Sequence, residues 1–220
     1  MGISEALLAF LKELGQNNNK EWFTENKPRY EEAKAEFEVF ITQLFAEISA
    51  FDPSISHHKA KDCIFRIYRD VRFSKDKSPY KAHFGAHITS AAKKSDIHTR
   101  SGYYIHIELG ASMLAGGAYM PQGDWLKNIR QEIDYNGQDL LNIINSKGFK
   151  DTFGQLEGDK LVRVPKGYSE DNPNIELLKM KGFLARNLVK DTDLVKPDFS
   201  SQAAIVFKEL KPLSDFLNRN

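Results

Sequence analysis

Residues 63–87 read CIFRIYRDVRFSKDKSPYKAHFGAH. Two patterns are laid over one another in this run. Cys63, Phe65 and Ile67 alternate with Ile64, Arg66 and Tyr68, the period-two spacing of a β-strand. Further on, Phe84, Ala86 and Ile88 alternate with Gly85, His87 and Thr89, which predicts a second strand. Between them residues 74–79 carry the Ser, Asp and Pro of a turn. The charges are dense: Arg66, Arg69, Asp70, Arg72, Lys75, Asp76, Lys77 and Lys81 fall within sixteen positions. The apolar residues threaded between them exclude a solvated tail. The run therefore predicts a strand and turn that carry cations at fixed positions.

Outward from this run the strand signals continue. Residues 93–101 read as a polar loop. Tyr103, Ile105, Ile107 and Leu109 then alternate with Tyr104, His106 and Glu108, and residues 112–115 predict a further strand ending at Gly116-Gly117. Connections this short imply antiparallel neighbours, because a parallel crossover needs about a dozen residues or more. Helical periodicity flanks the strands. Ser4 is placed to cap a helix with stripe Ile3, Leu7, Phe10, Leu11 and Leu14, ended by Gly15. Asn19 caps a short helix, and Pro28 sits in the first turn of a long one with stripe Tyr30, Ala33, Phe37, Phe40, Leu44 and Ile48. Asp52-Pro53 stops it, and residues 54–61 form a polar link.

C-terminal to the strands, Pro121 opens a helix bearing Leu126, Ile129 and Ile133, and a second around Leu140 ends at Gly148. Leu161-Val162 predicts an edge strand, residues 175–180 a helix and residues 183–189 a strand. Ser200 or Ser201 caps a last helix, bent or broken at Pro212. The order of helices, strands and helices with a late strand predicts an α+β fold. The expectation is one domain over residues 1–220, a mainly antiparallel central sheet packed by N-terminal and C-terminal helices.

Composition bounds the function. The chain has 220 residues, 41% hydrophobic and 28% charged, which predicts a globule with a real core. No run approaches the ~20 apolar residues that span a bilayer, so no membrane partner is expected. A lone cysteine, Cys63, excludes an internal disulfide. With no secretory leader read at the N-terminus, that favours the reducing cytoplasm. The net charge is +1, but residues 59–81 hold eight Lys/Arg against three acids, leaving 23 basic against 27 acidic residues elsewhere. A basic segment on a mildly acidic protein differs from the basic coat of an indiscriminate nucleic-acid binder.

The wording of several stretches resembles one family. RIYRDVRFSKDKSPYK at 66–81, NKEWF at 19–23, GGAYMP at 116–121 and LVRVPKGY at 161–168 are together similar to the bacterial family catalogued as domain of unknown function 2461, in the same order along nearly the whole chain. Ala115 stands where such families place a third glycine before the Gly-Gly pair, which weakens a glycine-dependent backbone site there. The resemblance implies a single-domain bacterial α+β protein and supplies no activity.

The chemistry is therefore read from residues. Two guanidinium groups ~6 Å apart repel by roughly 3 kcal/mol at an effective dielectric of ~20. A fold that gathers Arg66, Arg69 and Arg72 must pair or solvate them, or bind an anion. The leading expectation is a small anionic ligand, plausibly phosphorylated, held by Arg66, Arg69, Asp70, Arg72, Lys77, Tyr80, Lys81 and His106, with His106 or Asp70 as the proton-transfer group of any chemistry. Two alternatives stand beside it: a nucleic-acid binder using Tyr68, Phe73 and Tyr80 as stacking faces, and an interaction module whose arginines meet an acidic partner. His83 and His87 are four apart, ~13 Å along a strand and too far for one ion. His106 and Glu108 share a face and can meet His87 across the sheet, but the pattern favours a plain polar face, and no metal ligand is assigned. Nucleotide-loop glycine motifs and nucleophile elbows are absent. No cofactor or oligomeric state follows.

Overall fold

Ser4 begins the first helix by a local competition for orphan amides. Its hydroxyl accepts the Leu7 N–H at 3.1 Å, opening α1 (Glu5–Gln16). In the computed structural model, which describes residues 1–55, 59–72, 74–91 and 96–219, Asn19 does the same for α2 (Lys20–Glu25), accepting from Trp22 at 2.9 Å. Pro28 lies in the first turn of α3 (Lys27–Ser49), and the whole stripe from Tyr30 to Ile48 is buried. Gly15 does not end α1, which runs one residue further to a cap at Asn17. The chain then passes through a single 3-10 turn, Pro53–Ile55, and a four-residue helix α4 (Ala60–Cys63). The 54–61 link and the 93–101 loop fall partly outside the described residues.

Four strands follow: β1 (Phe84–Thr89), β2 (Gly102–Ile107), β3 (Met113–Ala118) and β4 (Phe183–Leu188), with α5 (Gly123–Asn145), α6 (Lys147–Phe153) and α7 (Ile175–Leu178) between the last two. They make one antiparallel sheet in the order β1-β2-β3-β4, so the fold is α+β. The chain ends in α8 (Asp191–Leu194) and α9 (Phe199–Leu217). Among the described residues no helix is long and apolar enough to cross a membrane.

The chain clusters into two compact units. The first holds residues 1–88, 104–114 and 188–205. Its core is aromatic: Phe84 of β1 stacks on Phe37 at 5.2 Å and Tyr30 at 6.3 Å, and Phe40 stacks on Phe199 at 5.5 Å. Burying each such ring stabilises by roughly 1.5–3 kcal/mol. Glu36 of α3 clamps the start of α1 by accepting the Ser4 amide and hydroxyl, both at 2.6 Å. The second unit holds residues 89–103, 115–187 and 206–220. There Phe207 meets Tyr103 edge-on at 5.4 Å, and the Trp125 indole donates to the Leu217 carbonyl at 2.9 Å.

Several elements differ from the sequence expectations. The strand expected at 63–68 is reduced to isolated antiparallel bridges, Ile64 to Ala86 and Tyr68 to Tyr80. Gly116-Gly117 does not end β3 but lies inside it. A Cβ on Gly116 would come within 2.3 Å of the Gly102 carbonyl oxygen, and one on Gly117, at φ +110, within 2.0 Å of the Phe183 oxygen. The pair is thus spent on close backbone approach. The first helix after the sheet starts at Gly123, two residues beyond Pro121, and continues to Asn145 through a kink at Asn136. Gly148 lies within α6, where a Cβ would meet Glu209 at 2.0 Å. Leu161-Val162 forms no strand; bridges from Glu157 to Leu184 and Lys160 to Met180 take that place. The 175–180 helix is shorter, ending at Leu178. Neither Ser200 nor Ser201 caps α9. Ser200 accepts from the Met1 ammonium at 2.9 Å, and both hydroxyls donate to Glu47. Pro212 is accommodated inside α9, which runs on to Leu217.

Gly110 and Gly117 both have positive φ, but nothing lies within 4 Å of a Cβ at Gly110. Gly110→Ala should cost about 1–2 kcal/mol, and Gly117→Ala at least about twice that because backbone must also move, read from urea melts. His87 is 7% exposed, its Nδ1 finds no partner among the described residues, and burial lowers its pKa from 6.5 to about 4. The unfolded chain therefore binds a proton that the folded chain refuses between those values. Stability from this group is complete above pH 6.5 and is lost as pH falls towards 4, by roughly 3 kcal/mol. The unfolding free energy of wild type minus that of His87→Leu should fall as pH drops through that window and stay flat above it.

Candidate functional site

The basic segment folds back on itself within the first unit. Lys81 donates its amide to the Ile67 carbonyl at 2.8 Å, and Arg69 donates to Pro79 at 2.9 Å, so the described residues between 67 and 81 form an irregular hairpin. Its root pairs with β1 through the Phe65 amide and the Gly85 carbonyl at 2.9 Å. Tyr80 anchors it. The ring is 6% exposed and stacks on Phe23 with centroids 3.9 Å apart. The Asn18 side chain brackets the Tyr80 backbone, donating to its carbonyl at 2.9 Å and accepting its amide at 3.0 Å. Tyr80 is thus a core residue of this hairpin, whereas Tyr68 stays 50% exposed. Phe73, named among the stacking faces, lies outside the described residues.

Most of the expected cations have partners inside the hairpin. Arg72 pairs with Asp70 at 2.6 Å, and its fork together with its amide holds the Asp70 carboxyl down at about 2. Asp70 is therefore ionised at any ordinary pH and unsuited to proton exchange near neutrality. Arg69 pairs with Asp76, whose carboxyl is pushed well below the usual range by that guanidinium and then by Ser78. Lys77 donates to the Val71 carbonyl at 2.9 Å. Arg66 and Lys81 differ: neither has an ion pair among the described residues. Arg66 is exposed. Lys81 lies 5.4 Å from the centre of the Phe65 ring, and its pKa is lowered by burial first and by Arg66 second.

The second feature is a polar cluster beside this hairpin root. Alternation along β2 puts Tyr104, His106 and Glu108 on one face. The Tyr104 hydroxyl lies 2.9 Å from His106 Nδ1, and Glu108 Oε2 lies 2.8 Å from His106 Nε2. His106 is 8% exposed. Sequence reasoning chose His87 as the partner across the sheet, but His83 takes that place, its ring centroid 4.1 Å from that of His106. Burial first, then His106, lowers the His83 pKa to about 4, with smaller contributions from Lys81 and Arg69. One ligating atom from each of His83, His106 and Glu108 lies within 4.8 Å of the other two. The cluster was legible as shared parity on β2; the strand register that chooses between His83 and His87 was not.

The remaining sites carry less. The expected second cationic set is dispersed, with Arg163 and Lys166 exposed and Lys179 paired with Glu176 at 3.4 Å. A groove of about 340 Å3 in the second unit is lined by Thr99, Arg100, Gln122, Asp124 and Arg219, none of them singled out by sequence. Arg219 is already held by Glu132 at 2.9 Å and Asp139 at 2.8 Å.

No curated protein and no solved structure matches the chain. A family model described as a conserved hypothetical protein (DUF2461) matches residues 6–216. With nearly its whole length covered, the chain belongs to that family.

Proposed function

We propose that this protein binds a small anionic ligand at the root of its basic hairpin, through Arg66 and Lys81. One observation carries the reading: these two cations lie close enough for Arg66 to depress the Lys81 ammonium, and neither makes an ion pair among the described residues, Asp70 acting on Arg66 only from beyond bonding distance. Like charges held together, with their nearest acid already bonded to Arg72, cost free energy that a bound anion reduces. Arg69, Arg72 and Lys77 had equal claims in the sequence, but each already has a partner within the hairpin. They serve as its internal frame, and Tyr80 with Asn18 and Phe23 fixes its place. The ligand carries phosphate or carboxylate oxygens, which a guanidinium fork and an ammonium both satisfy. The setting proposed is the bacterial cytoplasm, in keeping with a chain whose single, buried cysteine can form no internal disulfide.

Inorganic phosphate tests the reading. It should raise the melting temperature in a saturable way at millimolar concentration. Lys81→Met and Arg66→Gln should each weaken that effect by about tenfold or more, the value of one charge-assisted hydrogen bond. Arg72→Gln should leave it within about twofold. Phosphate without effect, or an effect that ignores Arg66→Gln, defeats the reading. A steep loss of polynucleotide binding with salt would instead favour a nucleic-acid ligand.

A further inference from the structure

Three side chains with different sequence origins meet in the first unit. His83 directly precedes β1, His106 lies in β2, and Glu108 follows two residues later. We propose that His83, His106 and Glu108 form a binding site for one divalent transition-metal ion of the zinc class. The donor set argues for that class. Two imidazoles and one carboxylate suit zinc, cobalt or iron, whereas magnesium and calcium take mainly oxygen ligands. Three protein ligands on a tetrahedral ion leave one position for water or an anionic group.

The geometry is close to what an ion needs. Ligand atoms about 2.0–2.1 Å from a tetrahedral zinc are about 3.4 Å apart from one another. The present spacing is no more than 4.8 Å. Glu108 and His106, now hydrogen-bonded at 2.8 Å, must part slightly. His83, only half-buried, must approach. Both are side-chain movements that leave the strands in place.

The surroundings match a ligand set better than a chance meeting. With His106 Nε2 on the ion, Nδ1 carries the proton and donates it to the Tyr104 oxygen 2.9 Å away. That outer contact fixes the metal-binding tautomer and ring orientation. Gly85 leaves room for the Tyr104 ring, since a Cβ there would stand 3.2 Å from its hydroxyl. Ser112 accepts the Glu108 amide at 3.0 Å and donates to the Glu108 carbonyl at 2.8 Å, holding the backbone from which the carboxylate projects. Lys81 and Arg69 act on His83 as like charges and count against a cation. The Glu108 carboxylate offsets part of that repulsion, and an anionic occupant of the open position would offset more.

The test uses the metal alone, without phosphate, so its outcome is independent of the anion reading. Chelator-treated protein is titrated with cobalt(II), followed by its visible d–d absorption, and zinc uptake is counted by native mass spectrometry. One ion per chain with a Kd below about 1 µM is expected. His83→Gln and Glu108→Gln should each weaken binding by about a hundredfold, and Tyr104→Phe by about tenfold. His57 and His58, adjacent in sequence, are another source of imidazole, so a His57→Ala/His58→Ala protein should bind as wild type. Glu108 is at the rim, and Glu108→Gln should melt as the metal-free parent does. No stoichiometric uptake, or uptake that survives both Glu108→Gln and His83→Gln, overturns the proposal.

Discussion

The parity of β1 against α3 sets everything else in the first unit. Phe84 is held by the rings of Phe37 and Tyr30. Because successive strand residues point to opposite faces, that contact sends His83 and Gly85 to the other side. A slip of one residue would bury His83 and Gly85 under α3 and expel Phe84, reversing several kilocalories per mole of burial. The hairpin takes its register from the same strand, through the Ile64–Ala86 bridge and the bond from Phe65 to Gly85. Thus one aromatic contact on the core face decides which polar groups share the opposite face.

The hairpin's cations look like its source of strength, but magnitudes say otherwise. The Asp70–Arg72 pair is largely exposed, and such pairs contribute about 0–1 kcal/mol. Tyr80 is the better candidate. Its ring is fully stacked on Phe23, and both its backbone groups are satisfied by Asn18. Packing and backbone hydrogen bonding therefore place the hairpin, and the ion pairs set its charge pattern. Once Asp70 and Asp76 have taken Arg72 and Arg69, Arg66 and Lys81 stand at the root without an ion pair among the described residues, and the exposed Lys75 and Lys77 do the same further out.

Local rules made much of the fold legible. The caps at Ser4 and Asn19, the buried stripe of α3 and the alternation of β1 and β2 are decided within a turn or a strand of sequence. The misses share a different cause: a partner distant in sequence. Gly116 and Gly117 read as punctuation until the Gly102 and Phe183 carbonyls are seen against them. Gly148 reads as a helix end until Glu209 is seen beside it. Ser200 reads as a cap until Met1 and Glu47 claim its hydroxyl. The candidate site divides in the same way. Its residue types and the shared face of His106 and Glu108 were visible, but His83 and His87 have the same parity, and only strand register separates them. Likewise, which cations the hairpin's own acids would take depends on how the turn folds back, and spacing alone does not decide it.

The polar face of β1 and β2 is an expensive way to build a sheet. All six residues of β1 are buried, yet its second face offers imidazoles where branched apolar side chains would pack. His87 shows the cost without compensation: a buried ring nitrogen with no partner among the described residues, which costs about 1–3 kcal/mol. His106 shows the cost offset, with both ring nitrogens engaged by Tyr104 and Glu108. Well-packed hydrocarbon in place of such a network is often as stable or more so, so stability alone does not call for it. Polar residues held at that expense and gathered beside Arg66 and Lys81 are what the proposed ligand and metal sites would draw on.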